Sequence, residues 1–198
     1  MDPFAAKYYS EIKRLTDASE ATGKNSKKTA FHEGIRAGAV LMKKRTASGH
    51  KLIFIGNGAS AAISSHQAAD YLKNGGMKAI AFNDAALLTC VSNDLGYEHV
   101  FEKPVAMLAD QGDVLVAISS SGKSENILKA VKAAKVKGCT VVTLSGFSPK
   151  NPLRRMGELN FYVPSAYYGH VEILHHSICH CILELIIEEL SSPTRKRR

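Results

Sequence analysis

Between residues 51 and 163 five short apolar runs recur, and most of the intervals between them could hold a helix. The runs are 51–55 (KLIFI), 78–82 (KAIAF), 113–119 (DVLVAIS), 139–144 (CTVVTL) and 159–163 (LNFYV). Each is apolar on both faces, the pattern of strands covered from two sides. Helical segments are expected at 59–74, about 97–109, where Pro104 should kink or split the helix, and 124–137. Strands alternating with helices predict an α/β three-layer sandwich around a parallel sheet, with ligands at the carboxyl ends of the strands.

Two amphipathic helices precede the first run. Asp2 as a cap and Pro3 as the first helical residue predict a helix over 3–21 with Phe4, Tyr8, Ile12 and Leu15 on one face. Gly23 to Ser26 breaks it, and a second helix over 28–46 groups Phe31, Ile35, Ala39 and Leu41 or Met42. Both need a partner surface, the sheet or another subunit, and oligomerisation through them is the expectation. A long last helix spans about 169–190, and a basic, disordered tail is expected over 191–198. The organisation is therefore a helical segment (1–50), one α/β domain (51–190) and the tail.

The 198 residues, 45% of them hydrophobic, suffice for one packed domain. No uninterrupted apolar run approaches the roughly 18 residues of a spanning helix, and MDPFAAKYYSEIK lacks a signal-peptide layout, so a cytoplasmic location is expected and no membrane partner. Part of the net charge of +8 comes from Arg195, Lys196, Arg197 and Arg198, with no aromatic-interleaved basic stripe. That balance suits an anionic small molecule better than nucleic acid. Cys90, Cys139, Cys179 and Cys181 have no CxxC spacing and are expected as free thiols.

Residues 51–70 (KLIFIGNGASAAISSHQAAD) read as a strand, a glycine turn and a helix, the outline of an anion site at a helix N-terminus. Gly56, Gly58 and Ala61 fit G-x-G-x-x-A, with Asp84 as a possible ribose-binding acid, so a dinucleotide competes, although Ser60 would crowd the turn. Ser119-Ser120-Ser121-Gly122-Lys123-Ser124 follows a strand and precedes a helix. It ends like a Walker A loop, but Ala117 stands where that loop needs glycine, and four hydroxyls in six residues suit a single phosphate monoester. No nucleotide cofactor is expected. Asn93-Asp94 reads as a polar turn, either plain or functional.

His66 and Asp70 share a helix face. Glu172, His175, His176 and His180 lie near or within the last helix and could carry protons or a metal. Glu172 and His180 are about 12 Å of rise apart on one continuous helix, too far to share an ion unless Glu172 lies ahead of the helix start or the two come from different subunits, and His176 with His180 is the rival local pair.

Together these residues resemble the sugar isomerase (SIS) domain family, and within it the phosphoheptose isomerases. Asn57-Gly58-Ala59-Ser60 with His66 and Asp70 carries the resemblance, as do the stretch from Cys90 to Tyr97, the serine loop, and Glu172 to His180. It implies a five-stranded parallel sheet, a homotetramer with active sites between subunits, and an aldose-ketose isomerase acting on a phosphorylated sugar, most nearly sedoheptulose 7-phosphate. It implies further that Ser60, Ser119, Ser120, Ser121 and Ser124 bind the phosphate. Asn57, Gly58, Ala59, Asn93, Asp94 and Glu172 would hold the sugar, Asp70 and His180 would act as acid and base, and His66, Asp70, Glu172 and His180 would hold a divalent metal, zinc. The family usually has Glu at the position of Asp70 and Gln at that of Glu172. The alternative is a non-catalytic SIS protein that binds a sugar phosphate or a protein partner such as a replication initiator.

Overall fold

The computed structural model describes residues 3–24 and 27–191. The Asp2 cap, Ser26 and the tail from Ser192, with its basic run, lie outside the described residues. In chain order the elements are α1 (Pro3–Ala18), β1 (Glu20–Gly23), β2 (Lys28–Thr29), α2 (Phe31–Ala47), β3 (Leu52–Gly56), α3 (Ala59–Lys73), β4 (Ala79–Ala81), α4 (Ala85–Leu95), α5 (Glu102–Leu108), β5 (Val114–Ser119), α6 (Glu125–Val136), β6 (Thr140–Ser145), β7 (Leu159–Tyr162) and α7 (Tyr168–Ser191).

One sheet joins the strands in the order β2-β1-β7-β6-β5-β3-β4. The five expected strands pair in parallel, with Leu52 opposite Val114 and Ser119 opposite Ser145. The expectation of five strands omitted the hairpin β1-β2, which adds antiparallel to β7 and makes seven. The helix expected over 3–21 stops at Ala18. Ser19 Oγ donates to the Leu15 carbonyl, and Ala21 is buried in the sheet, so close to Gly34 that a Cβ there would meet its own.

Every residue of β3 and β5 is buried. Their side chains alternate between two cores. Leu52, Phe54, Val114 and Val116 face α2, α3 and α7, whereas Ile53, Ile55, Leu115 and Ala117 face Phe101, Val105 and the Ile127–Ala134 side of α6. α2 buries Ile35, Ala39 and Met42 against its own chain, chiefly α7, while α1 buries Leu15. α7 is long and apolar enough to cross a bilayer by length and composition, but half of its most apolar stretch is buried in the protein, as in a core helix.

The helical segment expected over 97–109, kinked or split by Pro104, is divided ahead of that residue into a 3-10 turn at Tyr97–His99 and α5, in which Pro104 is the third residue and its missing N–H costs no helical bond. α4 was not expected. Asp84 starts it by accepting the Leu87 N–H at 2.9 Å.

His175 is fully buried on α7, and neither ring nitrogen meets a hydrogen-bond partner. Burial pushes its pKa down to about 4, against a weaker opposing effect of the Ser145 backbone. An unfolded histidine titrates near 6.5, so between these values the unfolded chain holds the extra proton. Stability is complete above about pH 6.5 and falls as the pH drops towards 4, by about 2 kcal/mol at pH 5 from this group. Urea unfolding at pH 7 and pH 5 should show a smaller acid loss for His175→Leu than for the unaltered chain; equal losses would contradict this assignment.

Candidate functional site

The chain leaves β3 to one side, towards β4, and returns through β5 on the other, so the loops after these neighbouring strands diverge at their carboxyl ends. The crevice there is a cavity of about 250 Å³, lined by Asn57 to Ser60 after β3, Ser119, Ser120, Ser121 and Ser124 after β5, and Tyr168 and Glu172 from α7. A larger depression of about 940 Å³ lies elsewhere, between the β1-β2 hairpin and α2, and brings none of these groups together.

The turns are shaped for close approach. A Cβ on Gly56 would stand 2.5 Å from the Ser60 carbonyl, and Gly58 has φ +54. Gly122 has φ +62, and a Cβ there would lie 2.1 Å from Asn151 Oδ1. Buried Asn151 fastens this region: its Nδ2 donates to the Ser148 and Gly146 carbonyls, and Leu153 N–H donates to the Gly122 carbonyl. Ser119 Oγ accepts the Gly122 N–H and lies 3.4 Å from Ser124 Oγ. Ser120 Oγ is buried and has no hydrogen-bond partner. An unpaired hydroxyl lining a cavity at the start of a 12-residue helix is arranged for an acceptor from outside.

Asn57 is held from two sides. It exchanges amide hydrogen bonds of 3.0 and 2.8 Å with Asn126, and Tyr97 Oη donates to its Oδ1 at 3.0 Å. Asn126, Asn151 and Tyr168 were not among the expected site residues. The first two are joined to their partners by tertiary packing, and nothing in the local sequence marks them.

α3 and α7 bring a second cluster together. Asp70 Oδ2 stands 3.0 Å from His66 Nε2 and 3.8 Å from His180 Nδ1. His66, His176 and His180 offer ligand nitrogens that all lie within 4.8 Å of one another, and this group could hold a metal ion. Imidazoles beside a carboxylate are a donor set suited to zinc. Burial, with the neighbouring His180 and His66, lowers the His176 pKa, which disfavours its charged form.

Glu172 is not in that histidine group; it lines the serine cavity, where burial raises its pKa. Asn93 and Asp94 lie exposed in the last turn of α4, with Asn93 Nδ2 donating to Asp94 Oδ1, and not in a turn between helices. They do not line the cavity. Asp84, the candidate ribose acid, is occupied as the α4 cap.

The SIS domain family matches residues 7–146. A phosphoheptose isomerase of Proteus mirabilis (strain HI4320) is 35% identical over 184 residues, covering 89% of this chain and 94% of that protein. The structure of a phosphoheptose isomerase from Neisseria gonorrhoeae superposes with a TM-score of 0.81 at 31% identity, over 92% of this chain and 97% of the other. That of a phosphoheptose isomerase from Francisella tularensis gives 0.81 at 29% identity, over 96% and 100%.

Two substitutions test the cavity as an anion site. Ser120→Ala removes an unpaired hydroxyl, so thermal stability should stay level or rise, while inorganic phosphate binding by calorimetry weakens about tenfold or more. Gly122→Ala should lower stability by about 1–3 kcal/mol through its positive φ and the clash with Asn151. Unchanged phosphate binding in Ser120→Ala would contradict the assignment.

Proposed function

Because the chain belongs to the SIS domain family, we propose that it is an aldose-ketose isomerase of phosphorylated sugars, with sedoheptulose 7-phosphate and its aldoheptose 7-phosphate as the favoured pair. The observation that carries this reading is the serine cavity, with its unpaired Ser120 hydroxyl, opening beside the helix that also bears the histidines. A phosphate seated on Ser60, Ser119, Ser120, Ser121 and Ser124 leaves the far end of a seven-carbon chain, where C1 and C2 react, to extend away from the serine loop. On α7 the sequence from that cavity runs Glu172, His176, His180, each one helical turn on, and Asp70 stands beside the last.

Isomerisation transfers a proton between C1 and C2 through an enediol, so it needs a base, a carrier for the hydroxyl proton and stabilisation of the oxyanion. Asp70 is assigned the carbon-bound proton and His180 the hydroxyl proton. Glu172, whose pKa burial raises, lines the serine cavity and is assigned to accept hydrogen bonds from sugar hydroxyls. Asn57 is held in place for the same purpose by Asn126 and Tyr97, and Gly58 and Ala59 border it. Asn93 and Asp94, on an exposed helix end, would reach sugar across a subunit boundary. The family resemblance puts a divalent ion, zinc, on His66, Asp70, Glu172 and His180, of which His66, Asp70 and His180 lie together between α3 and α7 while Glu172 lines the serine cavity. Bound there, it would supply Lewis-acid stabilisation of the oxyanion. An aromatic groove of about 600 Å³ shares Tyr168 with the serine cavity, and a second subunit of a homotetramer would complete the site along it. The setting would be the cytoplasm.

The test is turnover of sedoheptulose 7-phosphate by the purified chain, with and without zinc, followed as formation of the aldose. Activity is expected, and Asp70→Ala should reduce kcat about 100-fold or more. Sugar phosphate bound without turnover of any ketose phosphate would favour a non-catalytic SIS protein that reads the ligand as a signal or binds a protein such as a replication initiator. Turnover unchanged in Asp70→Ala would overturn the role given to that residue.

A further inference from the structure

We infer that the metal site of this chain is a three-imidazole site made by His66, His176 and His180, and that both nearby carboxylates, Asp70 and Glu172, stay unligated. This deepens the functional reading by reassigning the ligands, and its test reads metal binding without turnover.

The three rings surround one point. His66 projects from α3 and meets His176 at a centroid distance of 4.9 Å and His180 at 5.4 Å, both edge to face. His176 and His180, four apart on α7, stand 4.6 Å from each other. His176 Nε2 is buried and has no hydrogen-bond partner, so a polar atom is held out of water beside two other imidazoles. A cation at the common point gives that lone pair its partner. Tetrahedral zinc places nitrogens about 3.4 Å apart, so ligand atoms now within 4.8 Å need only side-chain rotation to close on it.

Glu172 is less well placed. α7 is continuous from Tyr168 to Ser191, so Glu172 stands inside it, about 12 Å of rise from His180, with His176 on the turn between them. An ion held by His66 and His180 meets His176 first. Asp70 lies 3.0 Å from His66 Nε2 and is placed to orient that ring as the carboxylate partner that ligating histidines commonly have. The assignment also removes a competition, because a carboxylate bound to a metal is a poor base. With three imidazoles as ligands, Asp70 keeps its lone pairs for a proton and Glu172 faces the serine cavity.

The probe is Zn2+ itself, added to the metal-free full-length protein and measured by competition with a chromophoric chelator. One Zn2+ per chain should bind. His176→Gln, close in volume, should weaken affinity about 100-fold or more, and Glu172→Gln should change it less than about threefold. X-ray absorption of the zinc-loaded unaltered chain should count three imidazoles, a readout that needs no variant to fold. Failure of the unaltered chain to bind zinc, a count of two imidazoles, or a larger loss in Glu172→Gln than in His176→Gln would overturn the inference, the last also if Glu172 comes from a second copy. A chain that binds zinc through His176 but turns over no ketose phosphate would fail the isomerase reading and keep this one.

Discussion

Tyr71 Oη donates a 3.0 Å hydrogen bond to the Cys179 carbonyl in the interior, and the candidate site depends on the packing it fixes. Tyr71 is fully buried on α3 against Phe54 of β3, at 5.3 Å between ring centroids, while Cys179 lies in the middle of α7. A buried phenol without a partner is costly, so this bond sets how α7 lies against α3 and the sheet. Burial raises the Tyr71 pKa well above its ordinary value, so the hydroxyl remains a donor. Cys179, its thiol pushed up to about 12, packs as an inert apolar group.

That packing gives α7 two tasks. Near its start, Tyr168 and Glu172 close the cavity made by the β3 and β5 loops. One and two turns past Glu172, His176 and His180 meet His66, with Asp70 beside His66 and His180. The proposed phosphate site and the proposed proton-transfer groups thus lie apart along one helix, a separation that suits a substrate with its phosphate far from its carbonyl. Asp70 is one methylene shorter than the glutamate usual in the family, yet its carboxylate reaches both His66 and His180 from α3.

The parallel core was legible because β3, β5 and β6 are buried on both faces, which leaves their runs largely apolar. The hairpin was not, since Glu20–Gly23 and Lys28–Thr29 are short and polar and gain stability only by pairing with β7. α4 was missed because its cap, Asp84, also fits the place of a ribose acid and its last turn, Asn93-Asp94, also reads as a polar turn. The serine loop could be read from composition, whereas Asn126 and Asn151 act through contacts set by tertiary packing. The spacing of His176 and His180 marked them as a pair, but how α3 lies against α7 decides that His66 is the third imidazole beside them.

The central claim is that this site moves a proton between adjacent carbons of a sugar phosphate. Running the isomerisation of sedoheptulose 7-phosphate in D2O and reading the aldose product by NMR tests it most directly. Proton transfer by a side chain exposed to exchange predicts solvent deuterium at C2 of the product. Product formed with no deuterium at C2, the outcome of a direct hydride shift, would contradict transfer by an exchangeable side chain and so the account.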